Sequence, residues 1–223
     1  MNAGLRLVIL CLCAQLAACA GTPSALPPEI VISNAHVGGN IVSFDGGSTR
    51  LALGDWKGNI GLWSLPQGTS VRMWHAHAGT VYGIAFLDRD RRILSSGYDG
   101  DLAEWDAQGR LLRRISAGSP IMAMAISEPD NTVITGHADG SVSVWRLDSL
   151  QPRRRYPAHN GAVRAVAYLP GRQWIASSGT DTRVFLWHAP GAQTQAQSSP
   201  QPVALPSPPP TAARCSFRRM ASG

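Results

Sequence analysis

With 223 residues, 44% of them apolar, the chain has enough hydrophobic content to bury a sizeable core. Its four cysteines, Cys11, Cys13, Cys19 and Cys215, sit near the two ends, which excludes a disulfide framework in the region between them. A net charge of +6 and an isoelectric point near 9.7 would suggest nucleic acid in a cytosolic protein, but the amino-terminal export pattern argues against that partner.

Residues 1–18 read as an export signal. Arg6 supplies the positive start, residues 7–14 an apolar stretch too short to span a bilayer, and small residues follow. The segment ends Leu16-Ala17-Ala18-Cys19, which resembles the bacterial lipobox. That resemblance implies a diacylglyceryl group on Cys19, with the cysteine becoming the first residue of the mature chain; cleavage after Ala20 is the alternative. Ala20 is not the aspartate that commonly retains lipoproteins at the inner membrane. The expected location in a Gram-negative source is therefore the outer membrane, facing the periplasm, and otherwise the cell membrane. Residues 19–28 form a short tether rich in turn formers. Residues 29–33, EIVIS, alternate as a strand does.

The centre of the chain repeats. Residues 93–105, ILSSGYDGDLAEW, return in altered form before Trp63, Trp145 and Trp187 as well as Trp105, with a period of about 40 residues. Asp99, Asp139 and Asp181 stand six places before their tryptophans, and Lys57 stands there in the first copy. Gly58, Gly100 and Gly140 come next, with Thr182 in the fourth copy. Asp-Gly between alternating apolar residues predicts a two-strand hairpin with a tight turn at positive φ. Upstream, Val42 and Phe44, Ile84 and Phe86, Met124 and Ile126, and Val166 and Tyr168 keep period two, which predicts a further strand in each copy.

On these residues the chain resembles the WD-repeat β-propeller family, in which each repeat of about 40 residues supplies a four-stranded blade. The resemblance implies an all-β fold of about four blades over residues 29–190. It also implies a structural hydrogen-bond network running from Trp to Ser or Thr, to His, to Asp. His77, Ser95, Asp99 and Trp105 match it in full, and so do His159, Ser177, Asp181 and Trp187. Thr135, Asp139 and Trp145 match it with Ala117 in the histidine position. The first copy keeps only Trp63. His, Ser and Asp would also suit a hydrolase triad, but a catalytic site needs an oxyanion hole and a cleft and is not expected twice at equal spacing, so no catalytic residue is assigned.

By the same resemblance, residues 29–33 are expected to complete the last blade. Four blades leave closure open between a tight ring, a half that pairs with another chain as a homodimer, further degenerate blades, and a shortened gene product. The abrupt change after Pro190 favours the last of these. Residues 191–223, with PSPPP at 206–210, are disordered by composition.

His75 and His77 lack a third ligand, so no metal is expected, and no cofactor motif is present. Arginines at 89, 91 and 92, at 113 and 114, and at 153–155 spread over the repeats as solvated blade rims. The alternative is a cationic face for anionic lipid, lipopolysaccharide, peptidoglycan or an acidic partner. Trp56 and Lys57, in the irregular turn of the first copy, are the candidate partner-binding pair. The function expected is a non-enzymatic interaction scaffold, lipid-anchored at the cell envelope and binding other envelope proteins. The alternative is the docking or sensory part of a redox or hydrolytic system whose catalytic domain is lost or encoded separately.

Overall fold

Alternation of apolar and polar residues, punctuated by turn formers, yields antiparallel strands in chain order. The computed structural model describes residues 38–188 and the pair Val203–Ala204. The first sheet comprises β1 (Gly39–Phe44), β2 (Arg50–Asp55), β3 (Asn59–Ser64) and β4 (Thr69–His75). The second comprises β5 (Val81–Leu87), β6 (Arg92–Gly97), β7 (Asp101–Asp106) and β8 (Leu111–Ser116). The third is β9 (Ile121–Ser127), β10 (Thr132–His137), β11 (Ser141–Arg146) and β12 (Pro152–Pro157). The fourth is β13 (Val163–Leu169), β14 (Trp174–Gly179), β15 (Val184–His188) and β16 (Val203–Ala204). Each is a four-stranded antiparallel meander, the blade of a β-propeller.

Successive blades stack. The innermost strand of each packs on that of the next, β1 with β5, β5 with β9 and β9 with β13. Each blade thus has an upstream face, turned toward the preceding blade, and a downstream face, turned toward the following one. Three apolar clusters fill the junctions. Ala52, Ile60 and Leu62 of the first blade meet Ile84, Ile93 and Trp105 of the second. Leu94 and Leu102 meet Val133 and Trp145. Ile134, Val142 and Val144 meet Val163, Ile175, Phe185 and Trp187. Each fully buried aliphatic side chain contributes roughly 1.5–3 kcal/mol before ordering entropy is subtracted. Among the described residues no such packing joins β13 back to β1.

The expected turns form, and their glycines do more than turn the chain. Gly58, Gly100 and Gly140 have φ of 86°, 83° and 85°. The carbonyl of each receives an N–H from the segment leading into the next blade: Ala76 and His77 on Gly58, Ala117 on Gly100, and Ala158 and His159 on Gly140. A Cβ on Gly140 would stand 2.1 Å from the His159 carbonyl oxygen, and one on Gly58 1.8 Å from that of His77. Thr182 holds the same left-handed conformation, with φ 63°, in the last blade.

The fourth place in the last blade goes to a segment other than the one expected. β16 pairs with β15, Val203 opposite Leu186 and Ala204 opposite Phe185. Those two residues belong to the tail whose composition reads as disordered. An open strand edge presents unpaired N–H and C=O groups, and the short apolar run around Val203 offers partners for them. Residues 29–33 lie outside the described residues, as do the signal, Cys19, the tether and the rest of the tail.

The turn geometry predicts that Gly140→Ala lowers the stability by more than about 1 kcal/mol, because it adds left-handed strain to a backbone clash. Thr182→Gly should cost nothing. Chemical denaturation of the two variants checks both; equal losses would contradict this account of the turns.

Candidate functional site

In the second blade the hydrogen-bond chain is complete. The Trp105 indole N–H donates to Ser95 Oγ at 2.9 Å, and Ser95 Oγ lies 2.7 Å from His77 Nε2. His77 Nδ1 lies 3.0 and 3.1 Å from the two oxygens of Asp99. A carboxylate only accepts, so Nδ1 carries the proton and Nε2 accepts from the Ser95 hydroxyl. Asp99 also accepts the backbone N–H groups of Ala78 and Asp101. It therefore ties the entry segment of its blade to the turn between β6 and β7. Burial opposes ionisation of Asp99, but the His77 N–H and the two backbone donors outweigh it and bring its pKa down to about 2.

The same residues would have to act as nucleophile, base and orienter in a hydrolase, and the geometry leaves them no substrate. Ser95 has no exposed surface, and its oxygen already takes the indole proton. Both nitrogens of His77 are engaged, so no lone pair on that ring is free for a metal beside His75. His75 turns to Asn59, 3.3 Å away.

The third blade reaches the same end by another route. Trp145 donates to Thr135 Oγ1 at 2.8 Å, as expected. Ala117 leaves the histidine place vacant, and His137 fills it from the strand. Its Nε2 is 2.9 Å from Thr135 Oγ1 and its Nδ1 3.3 Å from the Ser119 carbonyl. Asp139 is therefore not the last link of this chain, contrary to the family pattern. It accepts from the Ser141 N–H and hydroxyl and from Arg155 Nη2. Burial again opposes its ionisation, and the Ser141 and Arg155 donors bring its pKa down to about 2.

His137 escapes a reading by aligned positions because its counterparts are Gly97 and Gly179. Those glycines explain the exchange. A Cβ at Gly97 would stand 2.6 Å from the His77 ring, and one at Gly179 2.7 Å from His159 Nδ1. One imidazole fits in each blade, entering either from the loop or from the strand. The sequence signal is the spacing of two between Thr135 and His137, which puts both on one face of β10.

In the fourth blade, His159 joins Asp181 at 2.8 Å and Ser177 at 2.7 Å. The chain stops there. The Trp187 N–H is buried and finds no acceptor among the described residues, which departs from the expected link to Ser177. Its ring lies tilted on Tyr156 of the preceding blade, centroids 5.8 Å apart, much as Trp105 lies on Trp74.

The first blade has Leu53 and Lys57 at the polar positions and no such chain through them. Buried Asp55, level with Gly97 and His137, caps the turn through the N–H groups of Lys57 and Asn59 at 2.9 and 2.8 Å. That frees the turn's outer side. Trp56 is 54% exposed, and the Lys57 ammonium lies 5.7 Å from the centre of its ring. The backbone of Trp56 is pinned by its N–H on the Gly38 carbonyl and by the Thr80 hydroxyl on its own carbonyl. Trp74 lies half-buried, 5.7 Å from the Trp105 ring, and Trp174 stands edge-on to His188 at the same distance.

Many arginines are committed internally. Arg92 and Arg113 both pair with buried Glu104, and Arg113 also reaches the Leu147 and Asp148 carbonyls of the next blade. Arg114 caps the Ala76 carbonyl and Arg155 that of Ala117, each holding the segment that joins its blade to the preceding one. This favours the reading of the arginines as blade-rim residues over an open cationic face.

Two variants test the network. Asp99→Asn should lower stability by about 1–3 kcal/mol at neutral pH, since an ionised acceptor of three donors is lost. That corresponds to a fall in Tm of several degrees. Because folding depresses the Asp99 pKa, its contribution is present above the ordinary carboxylate pKa and is lost as pH falls from about 4 toward 2. The gap between wild type and variant should close over that window in thermal melts. His137→Gly should destabilise the third blade, and adding Ala117→His should recover at least half of the loss. No recovery would contradict the exchange of imidazole places.

Comparison with known proteins agrees with this architecture. The family described as WD domain, G-beta repeat matches residues 68–106, 109–146 and 150–188, just over half of the chain. Each match starts at the outer strand of one blade and ends with the third strand of the next, so the inner strands of the first blade fall outside it. Cilia- and flagella-associated protein 52 of Chlamydomonas reinhardtii is 27% identical over 161 residues, 70% of this chain and 26% of that protein. Transducin beta-like protein 3 of Mus musculus is 28% identical over 137 residues, 59% of this chain and 17% of that one. The chain thus spans about a quarter or less of these relatives. The crystal structure of the computationally designed Ika4 protein superposes with a TM-score of 0.63 at 25% identity, over 73% of this chain and 98% of that one. Matching repeats, four meander blades and the tryptophan-centred network together make this chain a member of the WD-repeat family.

Proposed function

We propose that the chain is a non-enzymatic protein-binding scaffold, tethered at a bacterial cell envelope through a lipid on Cys19, that engages another envelope protein through the turn carrying Trp56 and Lys57. WD-repeat relatives imply the coarser role of a protein–protein interaction scaffold. One observation carries the choice of surface. At Trp56 the first blade places a large aromatic ring in solvent on a rigid, hydrogen-bonded turn, with a cation above it. A rigid exposed aromatic costs little entropy to bury and favours a partner with an acidic group beside an apolar pocket. The lipid reading is supported by the residue pattern ending at Cys19. Several buried acyl chains at about 0.8 kcal/mol per methylene would make such attachment effectively permanent.

The full chain expressed in a bacterial host should incorporate labelled fatty acid and fractionate with membranes, and Cys19→Ala should abolish both. Affinity capture from solubilised envelope should bring down one stoichiometric partner with the wild type. Trp56→Ala should weaken that capture at least tenfold while leaving Tm within about 2 °C. Label on the Cys19→Ala variant, or equal capture by Trp56→Ala, would overturn the corresponding half of the proposal.

A further inference from the structure

Among the described residues the first and last blades each leave one face without the neighbour that the inner blades have. On the first blade's upstream face Val42 and Phe44 are 56% and 63% exposed and Met73 is 51% exposed. Register puts Val42 opposite Leu53 and Phe44 opposite Leu51, so the four form one apolar surface. The counterparts of Val42 and Phe44 in the other blades, such as Ile84 and Phe86, belong to the junction clusters.

The last blade's downstream face shows the complementary deficit. Val184 is 40% exposed, whereas Ile60, Leu102 and Val142, which hold its position in the other three blades, are fully buried. Leu186 is half-buried where Leu62 and Val144 are buried in their junctions. It pairs with Ala176, which pairs with exposed Ala167, continuing the apolar strip inward.

Every internal junction seats a downstream face on an upstream face, and the described residues leave one unmatched face of each kind. Among the described residues β13 does not pack on β1 as each inner strand packs on the next. We infer that the occupant of the first blade's upstream face is the last blade's downstream face of a second copy of this chain. Such a contact joins two different surfaces, and two copies making it twice form a ring with no blade face left open. This inference does not rest on the scaffold role or on the lipid.

The test is sedimentation equilibrium of the full chain in a mild non-ionic detergent at micromolar concentration. The expected protein mass is that of two copies of the chain, each 23.7 kDa before any removal of residues 1–18. Phe44→Glu and Leu186→Glu should each weaken self-association at least tenfold with unchanged circular dichroism, since both residues lie on the open faces. Mixing the two variants should restore a dimer, because together they retain one intact pair of faces. A monomeric wild type would overturn the inference. So would a dimer that Phe44→Glu disrupts and Leu186→Glu does not, since that pattern means two identical faces meet. The readout is self-association alone, so its failure is distinct from any failure of partner capture through Trp56.

Discussion

A single blade cannot bury both of its faces, and everything else in the structure answers that constraint. A four-stranded meander of about 35 to 40 residues has too little interior of its own, so stability comes from laying one blade on the next. The three apolar clusters are these contacts, each drawing from two neighbouring blades. The polar residues hold the contacts in register. Entry segments hydrogen-bond to the preceding glycine turn, and Arg114 and Arg155 hold the carbonyls of Ala76 and Ala117 in those same connecting segments.

The hydrogen-bond chains belong to the same logic. Packing blade on blade buries Ser95, Thr135 and Ser177, and a buried hydroxyl without a partner costs roughly 1–3 kcal/mol. An imidazole solves this because one nitrogen accepts while the other donates. Where it comes from is secondary. The second and fourth blades bring it from the loop, over a glycine, and the third brings it from the strand, over an alanine. The requirement is one ring in one space, and the sequence satisfies it in two ways.

This explains what could be read in advance. The tryptophan series, the Asp-Gly turns and the period-two strands were legible because each reflects a backbone or packing demand that recurs in every blade. The second-blade network followed from its four residues. His137 did not, because an exchange between two positions looks like a loss at one and an unrelated residue at the other. The missing Trp187 bond was illegible for another reason: all the residues of the chain are present in the fourth blade, yet the indole N–H finds no acceptor among the described residues. The outer strand of the last blade was illegible as well. Val203 and Ala204 carry almost no pattern of their own, and the edge of β15 selects them.

The first blade shows where the pattern relaxes and a surface appears. Asp55 takes over the capping of its turn, which releases the position occupied by aspartate elsewhere and leaves Trp56 and Lys57 outside. The central claim is that the repeated polar residues are sealed struts and not reactive groups. Hydrogen exchange of the tryptophan indole protons, followed by NMR, tests it most directly. The Trp105 and Trp145 indole protons should exchange only through unfolding, while that of Trp56 exchanges freely. A Trp105 proton exchanging as fast as that of Trp56 would mean that solvent reaches Ser95 and His77, and would contradict the account.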